Sequence, residues 1–238
     1  MSVVDLSVVI PIYNEEESLT HLLPELHNVL VTLGRSFEIL CIDDGSVDRS
    51  FQVLLNWQEK FPEIHIIKLR ERSGLTAALD AGFHRARGKI IVTLDADLQN
   101  DPADIPKLLA ELPGYDMVIG WRVHRSDSRL KQVESRIANW FRSRVTGDQV
   151  HDIGCTLKVY RKEILDCIQL YDNMHRFLPV LCEMAGGRIK EVPVHHRPRR
   201  FGESKFGIQN RLWRGLYDLW AVRWMQKRRL RYKIEKEC

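Results

Sequence analysis

The feature that most constrains this chain is an alternation that runs through its first half. Short runs rich in Val and Ile fall at 6–12 (LSVVIPI), 37–42 (FEILCI), 64–69 (IHIIKL), 90–94 (IIVTL) and 116–119 (DMVI). Helical patterns near 16–33, 48–61, 74–87 and 103–112 separate them. Strands separated by helices of this length read as right-handed crossover units on a parallel sheet. The runs are apolar at consecutive positions rather than alternate ones, so both faces of each strand must be covered. The pattern predicts an α/β fold with a mostly parallel sheet flanked by helices.

The second half is read more coarsely. An amphipathic pattern covers 128–146, a short strand lies near 155–160, and helical segments follow near 161–168 and 174–186. GGRIKEVPVHH gives a turn and a strand, RPRRFGESKFG a basic, glycine-punctuated loop, and 208 to about 231 a last helix. No internal repeat or linker appears. The division expected is a catalytic-type domain over 1–207 and a basic, Trp-rich amphipathic appendage over 208–238.

Composition excludes several classes. No stretch reaches the roughly 18 uninterrupted apolar residues of a membrane-spanning helix. The N-terminus MSVVDLSVVI has no basic region ahead of its apolar run, so no signal peptide is expected. Five cysteines without a CxxC spacing argue against a disulfide framework or structural zinc, and fit a reducing cytosol. Cys41, inside an apolar run, reads as a buried filler. The nine histidines show no metal-like spacing, and His195-His196 reads as loop-ordering. Charge is uneven. From Arg197 onward, thirteen Lys and Arg face four Asp and Glu, a balance of +9. Against a total of +4, the preceding 196 residues carry −5. An acidic body with a basic tail suggests an anionic surface or ligand near the C-terminus.

In open α/β sheets, ligands bind at the carboxyl ends of strands. The first strand here ends in Pro11-Ile12-Tyr13-Asn14-Glu15, the second in Asp43-Asp44-Gly45-Ser46, and the fourth in Asp95-Ala96-Asp97-Leu98-Gln99. Neither GxGxxG nor GxxxxGK[ST] occurs, so a nucleotide would be held by carboxylates rather than by a glycine cradle. Asp43 and Asp44 can accept from base N–H or ribose hydroxyl groups. Asp95 and Asp97 repel each other unless a cation joins them. With the Gln99 carbonyl they offer hard oxygen ligands suited to magnesium or manganese, a diphosphate completing the shell. Such a metal would neutralise charge on a departing nucleoside diphosphate.

PIYNEEESL, IDDGSVDRS and LDADLQNDP, in that order, resemble glycosyltransferase family 2. IGWRVHR, SRIAN, DIGCTLKVYRKEIL and VPVHHRPRRFGESKF extend the resemblance to the polyprenyl-phosphate sugar transferases, over roughly residues 6 to 207. The resemblance implies a GT-A (Rossmann-like) fold and an inverting transfer from a nucleotide-diphosphate sugar, GDP-mannose or a UDP-hexose, to a polyprenyl phosphate. It implies that Pro11, Tyr13, Glu15, Asp43, Asp44 and Asp95 hold the donor nucleotide. It implies that Asp95, Asp97 and Gln99 hold Mg2+ or Mn2+, and that Arg122, Lys131, Ser135, Arg199 and Lys205 hold the acceptor phosphate. Asp97, Arg122 and Arg199 are the catalytic candidates. The chain departs from the family pattern at Glu71-Arg72-Ser73-Gly74-Leu75 and at Phe206, where a tyrosine is usual.

These residue types suit the chemistry. Lys131, Ser135 and Asn139 share one helix face, and Arg122 and Arg199 can fork onto phosphate oxygens. A phosphate monoester is already ionised at neutral pH, so no general base is required if it is positioned in line. Asp152 is accordingly read as capping a helix or orienting an Arg or Lys.

The tail carries Trp213, Tyr217, Trp220 and Trp224 at helical spacing among Arg211, Arg214, Arg223, Lys227, Arg228, Arg229, Arg231 and Lys233. Such a helix can lie in a membrane interface, or pack on its own domain or on a membrane partner protein. The expected location is the cytoplasmic face of a membrane, peripherally bound. The acidic sheet edge speaks against a nucleic-acid partner.

Overall fold

A computed structural model describes residues 4–123, 142–201 and 211–230. Seven strands form one sheet: β1 (Leu6–Ile12), β2 (Phe37–Asp43), β3 (Ile64–Lys68), β4 (Ile90–Thr93), β5 (Met117–Arg122), β6 (Lys158–Arg161) and β7 (Ile189–Val194). Their order is β3-β2-β1-β4-β6-β5-β7. β6 is antiparallel to both its neighbours, β4 and β5. The other pairings are parallel. The α/β expectation with a mostly parallel sheet therefore holds, with β6 as the reversed strand.

The helices are α1 (Glu16–Thr32), α2 (Ser50–Gln58), α3 (Leu75–Arg85), α4 (Ile105–Ala110), α5 (Lys162–Asp166), α6 (Leu178–Met184) and α7 (Arg211–Arg228). Two single 3-10 turns, Pro102–Asp104 and Met174–Phe177, lead into α4 and α6. The patterns read at 103–112 and 174–186 were thus each a 3-10 turn followed by a short α-helix. Of the pattern over 128–146, residues 128–141 lie outside the described residues.

The consecutive apolar positions of the strands serve two cores. Val8, Ile10 and Ile12 of β1 pack with Leu19, Leu22, Leu23 and Leu26 of α1 on one face. Val9 of the same strand packs with Leu40, Ile42 and with Ala78, Leu79 and Phe83 of α3 on the other. Cys41 is fully buried in the first core, and burial pushes its thiol up to about 12. It is a filler, as its surroundings in the sequence suggest. Among the described residues no helix is long and apolar enough to cross a membrane.

A third, smaller cluster seats α7. Leu219 and Val222 are buried against Met174, Phe177, Val180 and Leu181. The opposite side of the helix exposes Tyr217 (71%), Trp220 (66%) and Trp224 (53%). These three aromatic residues of the stripe therefore do not pack on the described part of the domain. The helix docks through Leu219 and Val222 and presents Tyr217, Trp220 and Trp224 outward.

Helix and sheet approach closely at Gly82 of α3, where a Cβ would sit 2.3 Å from Val9 Cγ1. Neither element can shift without disturbing the cavity that both border. Gly82→Ala should cost about 1–3 kcal/mol through overpacking, read as a lower urea midpoint at unchanged slope.

Candidate functional site

The sheet order determines where the polar strand ends meet. β1 lies between β2 and β4, and the chain reverses its direction of progress across the sheet there. That is a topological switch point, where strand ends diverge and leave a crevice. Register sets the ends side by side: Ile12 pairs with Asp43, and Val9 with Thr93. The crevice is a cavity of about 210 Å³ lined in part by Pro11, Tyr13, Glu15, Asp44, Asp95, Asp97 and Arg199.

One side of the crevice is built by turns. Asn14 takes a left-handed φ of 52°. Its side-chain carbonyl accepts from Val47 N at 2.9 Å. Tyr13 lies beneath the Arg72 guanidinium, 4.2 Å from its ring centroid, so the departure from the family pattern near residue 71 still delivers a cation to the cavity wall. Asp44 accepts from Ser73 N (2.6 Å) and Gly74 N (2.9 Å), fixing the entry to α3. Asp43 behaves differently from its neighbour. It is fully buried, is not part of the cavity lining, and accepts from Ser46 N at 2.9 Å. Adjacent strand residues point to opposite sides, so only one of the two carboxylates reaches the cavity, and Asp43 holds the turn.

Asp95 and Asp97 both line the cavity. Burial first, and then the neighbouring Asp97 charge, push the Asp95 carboxyl up to about 7. Thr156, Lys158 and Arg122 oppose that rise. The Thr156 hydroxyl donates to Asp95 and accepts from Asn100 Nδ2 at 2.7 Å. Asp97 is bound from the open side: Arg199 Nη2 donates to its Oδ2 at 2.7 Å. Gln99 does not line the cavity; its Oε1 lies 3.5 Å from the same Arg199 nitrogen. Two carboxylates one residue apart, the first held above its ordinary value despite these partners, are a hard-oxygen donor set that fits Mg2+ or Mn2+. Among the described residues no group of three or more His, Cys, Asp and Glu converges, so a metal here would need ligand oxygens as well as protein ones.

Arg122 is at the end of β5 and is not part of the cavity lining. Asp152 grips it in a fork, Nε to Oδ2 at 2.7 Å and Nη2 to Oδ1 at 2.9 Å. This is the orienting role read for Asp152, and the pairing leaves its carboxylate unsuited to serve as a base. The segment after β7 is held in the same manner. His195 N donates to Asp104 at 2.7 Å, Arg197 pairs with Glu25 and Asp101, and Phe201 stacks on His21. His195 is thus loop-ordering, as expected. Lys131, Ser135, Asn139 and Lys205 lie outside the described residues.

Three contributors went unread in the sequence. Lys158 is buried on β6, its ammonium pushed down by that burial and supported by Cys155, Asp95 and Asp152. Its signal was a lysine inside the apolar run TLKVY. Thr156 carried no signal beyond its nearness to that lysine. His175 lines the cavity with its Nδ1 2.7 Å from Thr76 Oγ1, and no motif marks it.

A model described as glycosyl transferase family 2 matches residues 7–169. The chain belongs to glycosyl transferase family 2. The match takes in the ends of β1, β2, β4 and β5, whereas β7, Arg199 and α7 lie beyond it. Among curated proteins, the chain is 39% identical to the dodecaprenyl-phosphate galacturonate synthase of Rhizobium johnstonii, over 96% of this chain and 68% of that protein. It is 42% identical to the undecaprenyl-phosphate 4-deoxy-4-formamido-L-arabinose transferase of Salmonella typhimurium, over 90% of this chain and 65% of that protein. The chain thus spans about two thirds of the length of these relatives. Solved structures share the fold at lower identity. TarS of S. aureus in complex with UDP-GlcNAc superposes with a TM-score of 0.66 at 17% identity, covering 96% of this chain and 68% of TarS. Glucosyl-3-phosphoglycerate synthase of Mycobacterium tuberculosis, in complex with Mn2+, UDP and glucosyl-3-phosphoglycerate, gives 0.63 at 17%, covering 94% and 77%.

The Arg122–Asp152 fork is nearly buried, its side chains 13% and 7% exposed. Asp152→Ala would remove this fork from the guanidinium. We expect a loss of about 3 kcal/mol in unfolding free energy, measured by urea denaturation, with Asp152→Asn losing less.

Proposed function

We propose that this chain transfers a hexose from a nucleoside diphosphate donor, GDP-mannose or a UDP-hexose, to a polyprenyl phosphate, with inversion and with Mg2+ or Mn2+. The observation that carries the reading is the Asp95–Asp97 pair, capped by Arg199, in a cavity at the switch point of a family 2 fold. Two relatives named for polyprenyl-phosphate transfer, matching over nine tenths of the chain, support the acceptor class.

The residues divide the work. Pro11, Tyr13, Glu15 and Asp44 hold the nucleoside, with Arg72 over the Tyr13 ring. Asp95 and Asp97 hold the metal, which when bound neutralises charge on the leaving diphosphate. Arg199, drawn from Asp97 to the diphosphate or to the acceptor phosphate, stabilises charge as the glycosidic bond to the donor breaks. Arg122, aimed by Asp152, attracts the acceptor phosphate, joined by Lys131, Ser135 and Lys205. The acceptor arrives as an oxyanion and attacks the anomeric carbon directly, so no residue need remove a proton.

Residues 208–238 form an interfacial appendage to the catalytic unit of 1–207, bound peripherally at the cytoplasmic face. A polyprenyl acceptor keeps its phosphate at the interface and its tail in lipid, so the catalyst must meet the membrane. The outward stripe of Tyr217, Trp220 and Trp224 on α7 supplies interfacial aromatics. The basic residues around it contribute about 1 kcal/mol each near an anionic leaflet.

Two outcomes follow. Asp97→Ala and Arg199→Ala should each lower turnover by on the order of 100-fold with an unchanged circular dichroism spectrum, and excess chelator should abolish turnover of the unaltered chain. Full turnover in chelator would remove the metal from this scheme. In flotation with anionic liposomes, the full chain should rise at low salt and less at high salt. A Tyr217→Ser, Trp220→Ser, Trp224→Ser variant should stay below, and equal flotation of the two would place membrane contact elsewhere.

A further inference from the structure

Arg199 reaches Asp97 from the segment after β7, and the residues on either side of it are fastened elsewhere. Behind it, Arg197 forks onto Glu25 of α1, Nη1 to Oε2 at 3.0 Å and Nη2 to Oε1 at 2.7 Å. The same Nη2 lies 2.7 Å from Asp101 Oδ2. The backbone is held there as well. Arg197 N donates to the Gln99 carbonyl at 2.8 Å, and His196 forms an antiparallel bridge with Asn100. Ahead of Arg199, the Phe201 ring stacks on His21 of α1, with the ring centroids 5.5 Å apart and the planes 1° from parallel.

The two anchors on α1 match the spacing of the segment. His21 and Glu25 are four residues apart on the helix, so they share one face and lie about 6 Å apart along its axis. Phe201 and Arg197, which take them, are also four residues apart, with the segment running opposite to the helix. Four residues of extended chain reach roughly 13 Å. The span therefore has length to spare between its two feet, and Arg199 is its middle residue. Pro198 stiffens the near half. Its ring fixes its own φ and steers Arg197 away from helical backbone, so the seat of Arg197 is passed to Arg199 through one restricted residue.

Two neighbouring arginines thus have different duties. The guanidinium of Arg197 is shared between two carboxylates, Glu25 and Asp101, which ties the chain down. The guanidinium of Arg199 pairs with Asp97, in the cavity, where a phosphate can compete for it. Fastening the backbone on both sides lets this second guanidinium change partners without the segment leaving the cavity.

We infer that Arg197 and Phe201 are positioning residues for Arg199. Their clamp on Glu25, Asp101 and His21 holds the backbone of Arg199 beside the carboxylate pair while its side chain passes from Asp97 to a phosphate. This rests on the reading that Arg199 stabilises charge during sugar transfer.

Two measurements on the full chain test the inference. The first, hydrogen exchange read by mass spectrometry, needs no substrate. Arg197→Ala and Phe201→Leu should each speed exchange across 195–201 by at least about 3-fold, as loss of local protection does, with β1 unchanged. Phe201→Tyr keeps the ring and should exchange like the unaltered chain. The second is a double-mutant cycle on release of nucleoside diphosphate, with Mn2+, a short polyprenyl phosphate and whichever of UDP-glucose, UDP-galacturonate and GDP-mannose is turned over. Arg197→Ala and Phe201→Leu should each lower turnover by about 10-fold, within the range of a misplaced contact. Arg197→Lys, which keeps the charge but not the fork, should lose less, and Phe201→Tyr should restore turnover. In an Arg199→Ala background the same substitutions should cost less than about 2-fold, because the group that they position is gone. A merely structural loss would cost the same factor in both backgrounds. Unchanged exchange in Arg197→Ala and Phe201→Leu would overturn the clamp. Additive losses in the cycle, or full turnover of both variants where Arg199→Ala is impaired, would overturn the positioning role and leave the proposed function intact. Full turnover of Arg199→Ala itself would remove the reading of Arg199 and this inference together.

Discussion

Repulsion between Asp95 and Asp97 organises this molecule. Two carboxylates one residue apart, the first driven to about 7 by burial and by the second, are costly unless cations surround them. The fold meets that demand from several elements. Thr156 and Lys158 act from β6 and the residue pair ahead of it, Arg122 from the end of β5, and Arg199 from the segment after β7. β6 is the device that makes this work. Because it runs against the other strands, its first residues arrive where β4 ends, with Lys158 paired to Thr93. A parallel strand in that position would bring its last residues instead, and the buried lysine would sit elsewhere. The protein side of the pair is therefore permanent, whereas Arg199 lies on the open side and is the partner that can exchange for a ligand.

Much of this was legible in sequence because it is local. A strand run followed at once by Asp-Ala-Asp places both carboxylates at a sheet edge whatever the strand order, and the same holds for Pro11 to Glu15. The antiparallel turn of β6 was not legible, since four residues of strand carry no sign of direction. The difference between Asp43 and Asp44 follows from alternation along β2 but depends on where that strand ends, a boundary that pattern alone sets only to within a few residues. His175 shows a different limit. Its role depends on Thr76, a partner far along the chain, and an isolated histidine in a polar stretch looks like any surface histidine. Asp152 fell between these cases: its orienting duty was readable, but its partner was not.

The uneven charge of the chain has a counterpart in its architecture. The acidic body places its carboxylates at the crevice, while the basic tail continues from α7, which carries two different faces. Leu219 and Val222 hold the helix to the body, and Tyr217, Trp220 and Trp224 on the other side are exposed. Such a division lets the helix keep its seat while meeting a second surface.

The central claim is that the crevice joins a sugar to a phosphate carried on a polyprenyl chain. The most direct measurement is product identification. The protein would be incubated with Mn2+, a panel of GDP- and UDP-sugars and a short polyprenyl phosphate, and the lipid fraction analysed by mass spectrometry and by NMR at the anomeric centre. The account predicts one new lipid, heavier by a single sugar residue, joined through a phosphodiester with inverted anomeric configuration, and one free nucleoside diphosphate released for each lipid made. A sugar appearing on a hydroxyl acceptor while the polyprenyl phosphate is recovered unchanged would contradict it.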